Sequence, residues 1–318
     1  MDRIWDCVVV GGGAAGLSAA LVLGRARRRT LLIDGGAQSN LPAHGIGGLL
    51  GHDGRPPAEL YALGRRELSA YPSVEVRAAE VTGGERADGL FVLRLDDGGV
   101  ERARKVVLAT GMEYRPPPLP GLAELWGRSA FHCPFCHGWE VRDQPLAVLA
   151  SGERAVHTAL LLRLWSDDVV LLTDGPADLD LAQRERLAAA GVTIDDRPVA
   201  ELVGAAGTLE AVVFTDDSRL PRAGILVATT LHQRTSLAEQ LGATTGEPTP
   251  VAHNPVHVDA FYRTSADGVF AVGDLVAQMP QVAAAVAAGS AAAAAVVQSL
   301  VEADFPAVVP ERSRHVNA

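Results

Sequence analysis

Two cysteines separated by two residues, Cys133 and Cys136, have the type and spacing needed for redox chemistry. Such a pair can close a small disulfide ring and reopen it. A partner that lowers the pKa of one thiol towards ambient pH makes that thiol a usable nucleophile. His137 directly follows the second cysteine and is a candidate for moving the proton. The sequence therefore predicts Cys133, Cys136 and His137 as the catalytic residues.

Three other interpretations of this stretch remain open. A zinc site built from His132, Cys133, Cys136 and His137 would crowd four ligands into six residues. Finger-type sites use two separated ligand pairs, so no metal is expected. The C-x-x-C-H pattern is also the attachment signature of c-type haem, but that chemistry normally follows export, which nothing in this sequence directs. The third interpretation is two buried cysteines and a surface histidine in a turn, which only the surrounding motifs can exclude.

The composition bounds the class of protein. The chain has 318 residues, of which 48% are hydrophobic and 21% charged, enough for two globular domains. A net charge of -10 and a pI of about 5.4 disfavour a nucleic-acid partner. The acidic N-terminus lacks a signal-peptide layout, and the alanine-rich tract 282–297 is interpreted as too short and weakly hydrophobic to span a bilayer. With only three cysteines, a cytoplasmic protein without a membrane partner is expected.

The N-terminal segment carries a dinucleotide fingerprint. The apolar run Cys7 to Val10 predicts a strand buried on both faces, and a G-x-G-x-x-G turn, a helix and a second strand follow. Gly11 permits the tight turn, Gly13 lets a pyrophosphate approach the backbone, and Gly16 lets the helix pack closely. Asp34 ends the second strand and is placed to accept hydrogen bonds from a ribose.

A second nucleotide-type unit begins near residue 146, but its phosphate turn is degraded. Ala150 replaces the first glycine, and Glu153 puts a carboxylate beside the anion site, which repels phosphate. Asp174 follows the next strand, where no arginine is present to hold a 2'-phosphate. The strand 224–228 is interpreted as the return to the first domain, and Pro280 lies near the start of a long helix.

These elements predict an α/β protein with two Rossmann-like (three-layer ββα) nucleotide-binding domains, the second inserted into the first. The first domain is expected to comprise residues 1–115 and 224–318. Residues 116–223 are expected to form the degenerate NAD(P)-type domain that carries the cysteine pair. The proline-rich run 116–121 is a stiff linker at the first boundary.

Four motifs in this order resemble the low-molecular-weight thioredoxin reductase family of flavoproteins over nearly the whole chain: the glycine turn, Ala109-Thr110-Gly111, the C-x-x-C and Gly273-Asp274. The resemblance implies FAD, a homodimer, and a Cys136 that faces the flavin while Cys133 exchanges with the substrate. Asp274 would lie near the ribityl-pyrophosphate region, and the helix start at Gln281-Val282 would face the flavin pyrimidine edge. The FAD contacts that it implies are Gly11, Gly13, Ala14, Ala15, Gly16, Asp34, Gly35, Gln38, Asn40, Val81, Ala109, Thr110, Gly111, Gly273, Asp274, Gln281 and Val282.

The chain departs from that family at two places. His137 stands where the reductases usually have an acid, and the NADPH-binding turn and His-Arg-Arg run are replaced by Ala150-Ser151-Gly152 and Thr173-Asp174-Gly175. Both departures resemble the dithiol oxidases that close disulfides in antibiotic-type natural products such as gliotoxin, holomycin and romidepsin, with the bacterial holomycin-type member favoured. Phe135, Trp139 and the loop around 45–52 are candidates to line the substrate pocket.

The resemblance implies an FAD-dependent dithiol oxidase that passes electrons from a small dithiol to O2 and releases H2O2. The dithiol would attack the disulfide at Cys133, and His137 would take protons from the incoming thiols. His132 is interpreted either as a packing or capping residue or as a catalytic helper. The alternative within oxidoreductases is an NAD(P)H-dependent thioredoxin or disulfide reductase, with Asp174 holding an unphosphorylated ribose. A flavin-binding regulatory protein with an idle cysteine pair is the alternative from another class.

Overall fold

A computed structural model describes residues 3–278 and 280–306, with the backbone alone at Glu153. Its strands, in chain order, are β1 (Ile4–Val10), β2 (Thr30–Asp34), β3 (Val74–Ala78), β4 (Val81–Ala87), β5 (Leu90–Leu95), β6 (Val100–Leu108), β7 (Met112–Arg115), β8 (Ala130–Phe131), β9 (Leu146–Leu149), β10 (Val169–Leu172), β11 (Val192–Asp195), β12 (Val199–Ala205), β13 (Thr208–Phe214), β14 (Arg219–Pro221), β15 (Gly224–Val227), β16 (Thr230–Gln233) and β17 (Val269–Ala271). Its helices are α1 (Ala14–Arg25), α2 (Pro57–Leu68), α3 (Leu122–Leu125), α4 (Pro134–His137), α5 (Gly152–Leu162), α6 (Leu181–Ala189), α7 (Leu237–Gln240) and α8 (Val282–Asp304).

The first sheet has the order β3-β2-β1-β6-β5-β4, with β17 paired to β6. Strand β1 pairs in parallel with both β2 and β6, so it lies in the middle of the sheet. Alternate residues of β1 enter two different cores: Val8 and Val10 face β5 and α7, whereas Cys7 and Val9 face α1, α2 and α8. Burial on both faces explains why this strand is a continuous apolar run. The carboxyl ends of β1, β2, β6 and β17 consequently meet at one edge.

Helix α8 crosses α1 at very short range. A Cβ on Gly289 would lie 2.0 Å from the carbonyl oxygen of Ala15, so glycine is required at the crossing. The hydroxyl of Ser18 also donates to the carbonyl of Val286 at 2.7 Å. Among the described residues, α8 is the one helix long and apolar enough to cross a membrane, so the interpretation of this tract as too short was wrong. Its buried face packs in the core against α1.

The inserted unit has the second parallel sheet, of order β11-β10-β9-β15-β8. One face packs against the antiparallel strands β12 and β13, through residues such as Leu202 and Phe214. The other face packs against α5 and α6, through residues such as Ala159 and Leu187. The predicted three-layer ββα arrangement of this unit is therefore confirmed.

One predicted boundary places a strand in the wrong sheet. Strand Gly224–Val227 pairs with β9 and β8 in the inserted unit, so the chain does not return to the first unit at residue 224. It returns after this strand, through β16, which pairs antiparallel with β7. The two segments that connect the units, β7 and β16, are thus adjacent and hydrogen-bonded to each other. All four residues of this strand are buried, and a buried apolar run has the same appearance in either sheet.

Candidate active site

A cavity of about 460 Å³ lies at the carboxyl edge of the first sheet, where the fingerprint predicts it. All the residues predicted to contact FAD line this cavity except Gly16. A Cβ on Gly16 would lie 1.8 Å from the carbonyl oxygen of Gly11, so this glycine allows the helix to pack behind the turn. The structure thus brings the predicted set together, and the individual contacts with FAD stay a prediction.

The phosphate turn presents its backbone to the cavity. Gly11 has a φ of +111°, and a Cβ there would lie 2.2 Å from the carbonyl oxygen of Ala109. The nearest atom to a Cβ on Gly13 is 3.7 Å away, so the space above this residue is open. Helix α1 begins here with no side-chain cap and no acid in its first turn, which leaves its N–H groups available. These residues fit the pyrophosphate of a dinucleotide.

The carboxylate of Asp34 is fixed beside this turn. Its Oδ1 accepts hydrogen bonds from Gln38 Nε2 at 2.8 Å and from the Gly36 N–H at 2.9 Å, and its Oδ2 lies 3.3 Å from an Nη1 of Arg65. A Cβ on Gly12 would lie 2.1 Å from the carboxyl carbon of Asp34, so the middle glycine is needed as well. Neither Arg65 nor the role of Gly12 was found from the sequence.

Tyr61 supports the far side of the cavity. Its hydroxyl donates to Oδ1 of Asn40 at 2.7 Å, and burial raises the pKa of Tyr61 to about 12. The phenol therefore remains a donor, which leaves the amide group of Asn40 oriented towards other partners. No local motif marks this tyrosine. The one signal is its position in the first turns of α2, after a long loop.

Asp274 and the start of α8 form the third wall. Burial raises the pKa of Asp274, and its Oδ2 accepts a hydrogen bond from the hydroxyl of Tyr114 at 2.9 Å. Gln281 is the N-cap residue of α8 and makes no side-chain capping bond, and the first turn holds no acid. The free N–H groups of this long helix therefore face the cavity, where they favour negative charge. This fits a reduced flavin, which is anionic at its pyrimidine edge.

The cysteine pair lies at the short helix α4: Cys133 directly precedes the helix and Cys136 lies within it. Cys133 is its N-cap residue, and the two sulfurs are 2.7 Å apart, with the Cys136 thiol donating. That donation lowers the pKa of Cys133, and the same shared proton, together with burial, raises the pKa of Cys136. Cys136 lines the cavity, whereas Cys133 does not. The dithiol pair therefore presents the sulfur of Cys136 to the cofactor site, and the more acidic thiol is that of Cys133.

The ring of His137 is fixed by a backbone carbonyl and by an aromatic ring. Its Nε2 lies 3.1 Å from the carbonyl oxygen of Gly127, and a carbonyl only accepts, so Nε2 carries the proton. Its Nδ1 is buried with no hydrogen-bond partner among the described residues. The ring stacks on Phe131 at 5.6 Å, and burial lowers the pKa of His137. The side chain is thus a neutral imidazole with one unused lone pair beside the cavity.

His132 lies between two aromatic rings. Its ring centroid is 4.6 Å from that of Tyr114 and 5.9 Å from that of Trp126. Burial lowers the pKa of His132 to about 4, so it is uncharged at neutral pH. Because His132 packs here and His137 bonds to Gly127, the four residues of the alternative zinc site do not converge on one point. Tyr114 and Trp126 line the cavity and were not found from the sequence.

The aromatic residues of the cysteine stretch face outwards. Phe135 is 59% and Trp139 65% exposed, and neither lines the cofactor cavity, so their suggested place in a substrate pocket stays a prediction. The edge of Phe135 meets the ring of Trp165 at 5.5 Å, and the guanidinium of Arg142 lies 3.9 Å above the ring of Trp139. Part of the suggested loop, 45–47, does line the cavity.

Two side chains of the second nucleotide-type unit, Arg154 and Asp174, are bonded within the chain. Nη1 of Arg154, in the first turn of α5, donates to the carbonyl of Pro250 at 2.7 Å and to that of Thr229 at 3.3 Å. Asp174 Oδ1 accepts the N–H of Val199 at 2.7 Å. The acid that would grip a ribose is therefore bonded to the backbone of its own unit.

A dinucleotide cavity facing a cysteine pair on an inserted nucleotide-type fold defines a flavin-linked disulfide oxidoreductase. The model of the pyridine nucleotide-disulphide oxidoreductase family matches residues 5–289, and the chain belongs to this family. The predicted FAD cofactor and the resemblance to thioredoxin reductase-like flavoproteins are confirmed.

Several relatives are similar over almost their whole length. Thioredoxin reductase sirT of Leptosphaeria maculans is 33% identical over 304 residues, which cover 89% of this chain and 90% of the relative. The crystal structure of HlmI matches with a TM-score of 0.88 and 40% identity, over 96% of this chain and 95% of that chain. The structure of an oxidoreductase from Agrobacterium tumefaciens matches with a TM-score of 0.89 and 35% identity, over 96% of this chain and 100% of that chain. The predicted fold class is confirmed.

Proposed function

We propose that this oxidoreductase is an FAD-dependent dithiol oxidase. It closes an intramolecular disulfide in a small-molecule natural product, with O2 as the electron acceptor and H2O2 as the product. One observation carries the proposal: Cys136 of the cysteine pair lines the cofactor cavity, whereas the Arg154 and Asp174 side chains of the second nucleotide fold are bonded to backbone groups of the chain itself. Electrons therefore enter through sulfur rather than through a pyridine nucleotide.

The second fold lacks the features that hold a dinucleotide. Its turn reads Ala150-Ser151-Gly152, and Arg154 is already bonded to two backbone carbonyls. The carboxylate of Asp174 receives a backbone N–H where a ribose hydroxyl would have to donate. The missing first glycine and these contacts are expected to lower the affinity for a pyridine nucleotide.

The cysteine geometry supports attack by a small dithiol at Cys133. When the pair is oxidised, a substrate thiolate attacks the sulfur of Cys133 and releases the Cys136 thiolate. The second substrate thiolate then attacks its own bridged sulfur, so a cyclic disulfide leaves and the Cys133 thiolate is freed. Bound FAD supplies a two-electron acceptor that O2 can reoxidise. In sum, the dithiol loses two electrons and two protons, and O2 gains them as H2O2.

His137 is proposed as the base that accepts the thiol protons. Its Nδ1 lone pair is unused, and its lowered pKa keeps the imidazole neutral near pH 7. An acid side chain would already be ionised and would have little basicity at this pH.

The alternative function is an NAD(P)H-dependent disulfide reductase. The family description and the names of the fungal relatives favour it, because both refer to pyridine nucleotides or to thioredoxin reductase. The similarity to HlmI favours the oxidase, and so does the bond that Asp174 of the second nucleotide fold accepts from a backbone N–H. A homodimer and a cytoplasmic location are proposed with either function, since one working cysteine pair suits a reducing compartment.

An oxygen balance tests the proposal. The purified yellow protein is mixed with dithiothreitol in air, and O2 uptake and H2O2 release are recorded together. The oxidase is expected to consume one O2 and release one H2O2 for each dithiol oxidised, and Cys133→Ser is expected to abolish both. A wild-type protein that consumes no O2 above the Cys133→Ser control would contradict the proposal.

A further inference from the structure

The loop between β2 and α2 reaches the helix that carries the redox cysteines. Its residue Gly47 lies directly against Cys136, although this loop follows β2 of the first sheet and α4 follows β8 of the second. A Cβ on Gly47 would lie 2.8 Å from the carbonyl oxygen of Cys136 and 3.3 Å from its Cα and carbonyl carbon. All three of the nearest atoms are backbone atoms of the same cysteine. Both residues line the cofactor cavity.

The loop around Gly47 is closed and stiff. The Ile46 N–H donates to the carbonyl of Arg55 at 2.9 Å, and the Gly54 N–H donates to the carbonyl of Ile46 at 2.8 Å. The Gly48 N–H donates to Oδ1 of Asp53 at 2.8 Å. Ile46 is buried and anchors the loop in the cavity wall. The residues on both sides of Gly47 are therefore fixed, and the loop has little freedom to move away from α4.

We infer that Gly47 is a positioning residue that sets how deeply Cys136 projects into the cofactor cavity. No side chain can be accommodated there unless the backbone of Cys136 moves, because the loop is held at both ends. Ordinary contact begins at 3.4 Å, so a methyl group moves the cysteine by about 0.6 Å. The absence of a side chain at position 47 is what lets the sulfur reach the cavity.

The size of the effect follows from the geometry of electron-pair transfer. A misplacement of about 1 Å between reacting groups can cost about 100-fold in rate. A shift of roughly half that distance is therefore expected to slow reduction of the bound cofactor by about tenfold. This expectation rests on the proposed function, because it concerns electron transfer from Cys136.

The test compares Gly47→Ala with Gly246→Ala, since a Cβ on Gly246 meets nothing closer than 3.7 Å. In a Cys133→Ser background, which isolates Cys136, the thiolate-to-flavin charge-transfer absorbance is titrated upwards in pH to its plateau. Gly47→Ala is expected to lose at least half of the plateau absorbance with FAD content unchanged, and Gly246→Ala is expected to lose none. With both cysteines present, Gly47→Ala is expected to slow anaerobic flavin reduction by dithiothreitol about tenfold.

The outcomes separate this inference from the proposed function. If wild-type flavin is not reduced by a dithiol, the proposed function fails; if it is reduced and Gly47→Ala keeps the full band and rate, this inference alone is overturned. Asp53→Ala removes the acceptor of the Gly48 N–H and softens the loop. Should Gly47→Ala fail to fold, the double variant Gly47→Ala/Asp53→Ala is compared with Asp53→Ala. The two backbone bonds of Ile46 still hold the loop in both, so the double variant is expected to show the weaker band, and an equal band would overturn the inference.

Discussion

Replacing His137 by glutamine separates its two possible contributions. The histidine donates from Nε2 to the carbonyl of Gly127 at 3.1 Å and leaves Nδ1 without a partner. The amide nitrogen of a glutamine can reach the same carbonyl, but an amide has no basic lone pair. His137→Gln therefore preserves the anchoring bond and removes the proposed base, whereas His137→Ala removes both.

The expected magnitudes differ for the two variants. A positioned general base typically contributes about 100- to 10,000-fold to a rate, so dithiol turnover in His137→Gln is expected to fall at least about 100-fold. A single hydrogen bond contributes about 1 kcal/mol to stability, and His137→Ala is expected to lose this in addition to its stacking on Phe131. FAD content is expected to remain unchanged in both. Stopped-flow reduction by dithiothreitol gives the rate, and urea unfolding gives the stability.

The pH profile supplies the decisive part of this test. Burial lowers the pKa of His137, so the neutral, active form persists below the ordinary histidine range. Wild-type turnover is expected to fall on the acid side as pH drops through that lowered pKa, and this acid limb should be missing in His137→Gln. A glutamine variant that keeps both the wild-type rate and the acid limb would refute the assignment of His137 as the base.

Three further changes have defined outcomes. Burial lowers the pKa of His132 from 6.5 to about 4, so between these pH values the unfolded chain binds a proton that the folded protein does not. The unfolding free energy should therefore fall by about 3 kcal/mol as the pH drops from 6.5 to 4. His132→Phe should lack that part of the decline in acid unfolding curves, and an identical pH dependence would contradict the reasoning. The methyl group of Gly12→Ala would overlap the carboxyl group of Asp34, so this variant should lose most of its FAD on gel filtration. Gly246→Ala should retain its FAD. Full retention by both variants would show that the turn can adjust to a side chain. Arg154→Ala should lower the unfolding free energy by about 2 kcal/mol, because its bonds to the carbonyls of Thr229 and Pro250 are lost. NADPH should still not reduce the flavin of this variant; rapid flavin reduction would mean that this arginine alone blocks the nucleotide.

The parts of the fold that are determined locally could be predicted from the sequence. The strand, glycine turn and helix that begin at Cys7 depend on short-range rules, and the helix predicted to open near Pro280 begins at Val282. The failure at strand Gly224–Val227 has a different origin. Its residues are buried in a parallel sheet, and nothing in a fully apolar run says which of two sheets it joins.

The site was predictable only where a motif carries it. Cys136 and Asp274 were found because each belongs to a recognisable pattern, and both line the cavity. Tyr114 was missed because its role depends on a hydrogen bond to Asp274, which is 160 residues away. The loop that holds Gly47 was suggested as a pocket wall, but its contact with Cys136 was missed for the same reason, since it joins two distant segments. Contacts between distant segments leave no local signal.

The most direct test of the central proposal is an anaerobic titration of the yellow protein, with dithiothreitol in one series and with NADPH or NADH in the other. The proposed mechanism predicts that about one to two equivalents of dithiol bleach the flavin, because each dithiol supplies two electrons and the Cys133–Cys136 disulfide and FAD accept two each. It also predicts that neither nucleotide bleaches the flavin on the timescale of turnover. Rapid bleaching by NADPH or NADH, with none by the dithiol, would contradict it.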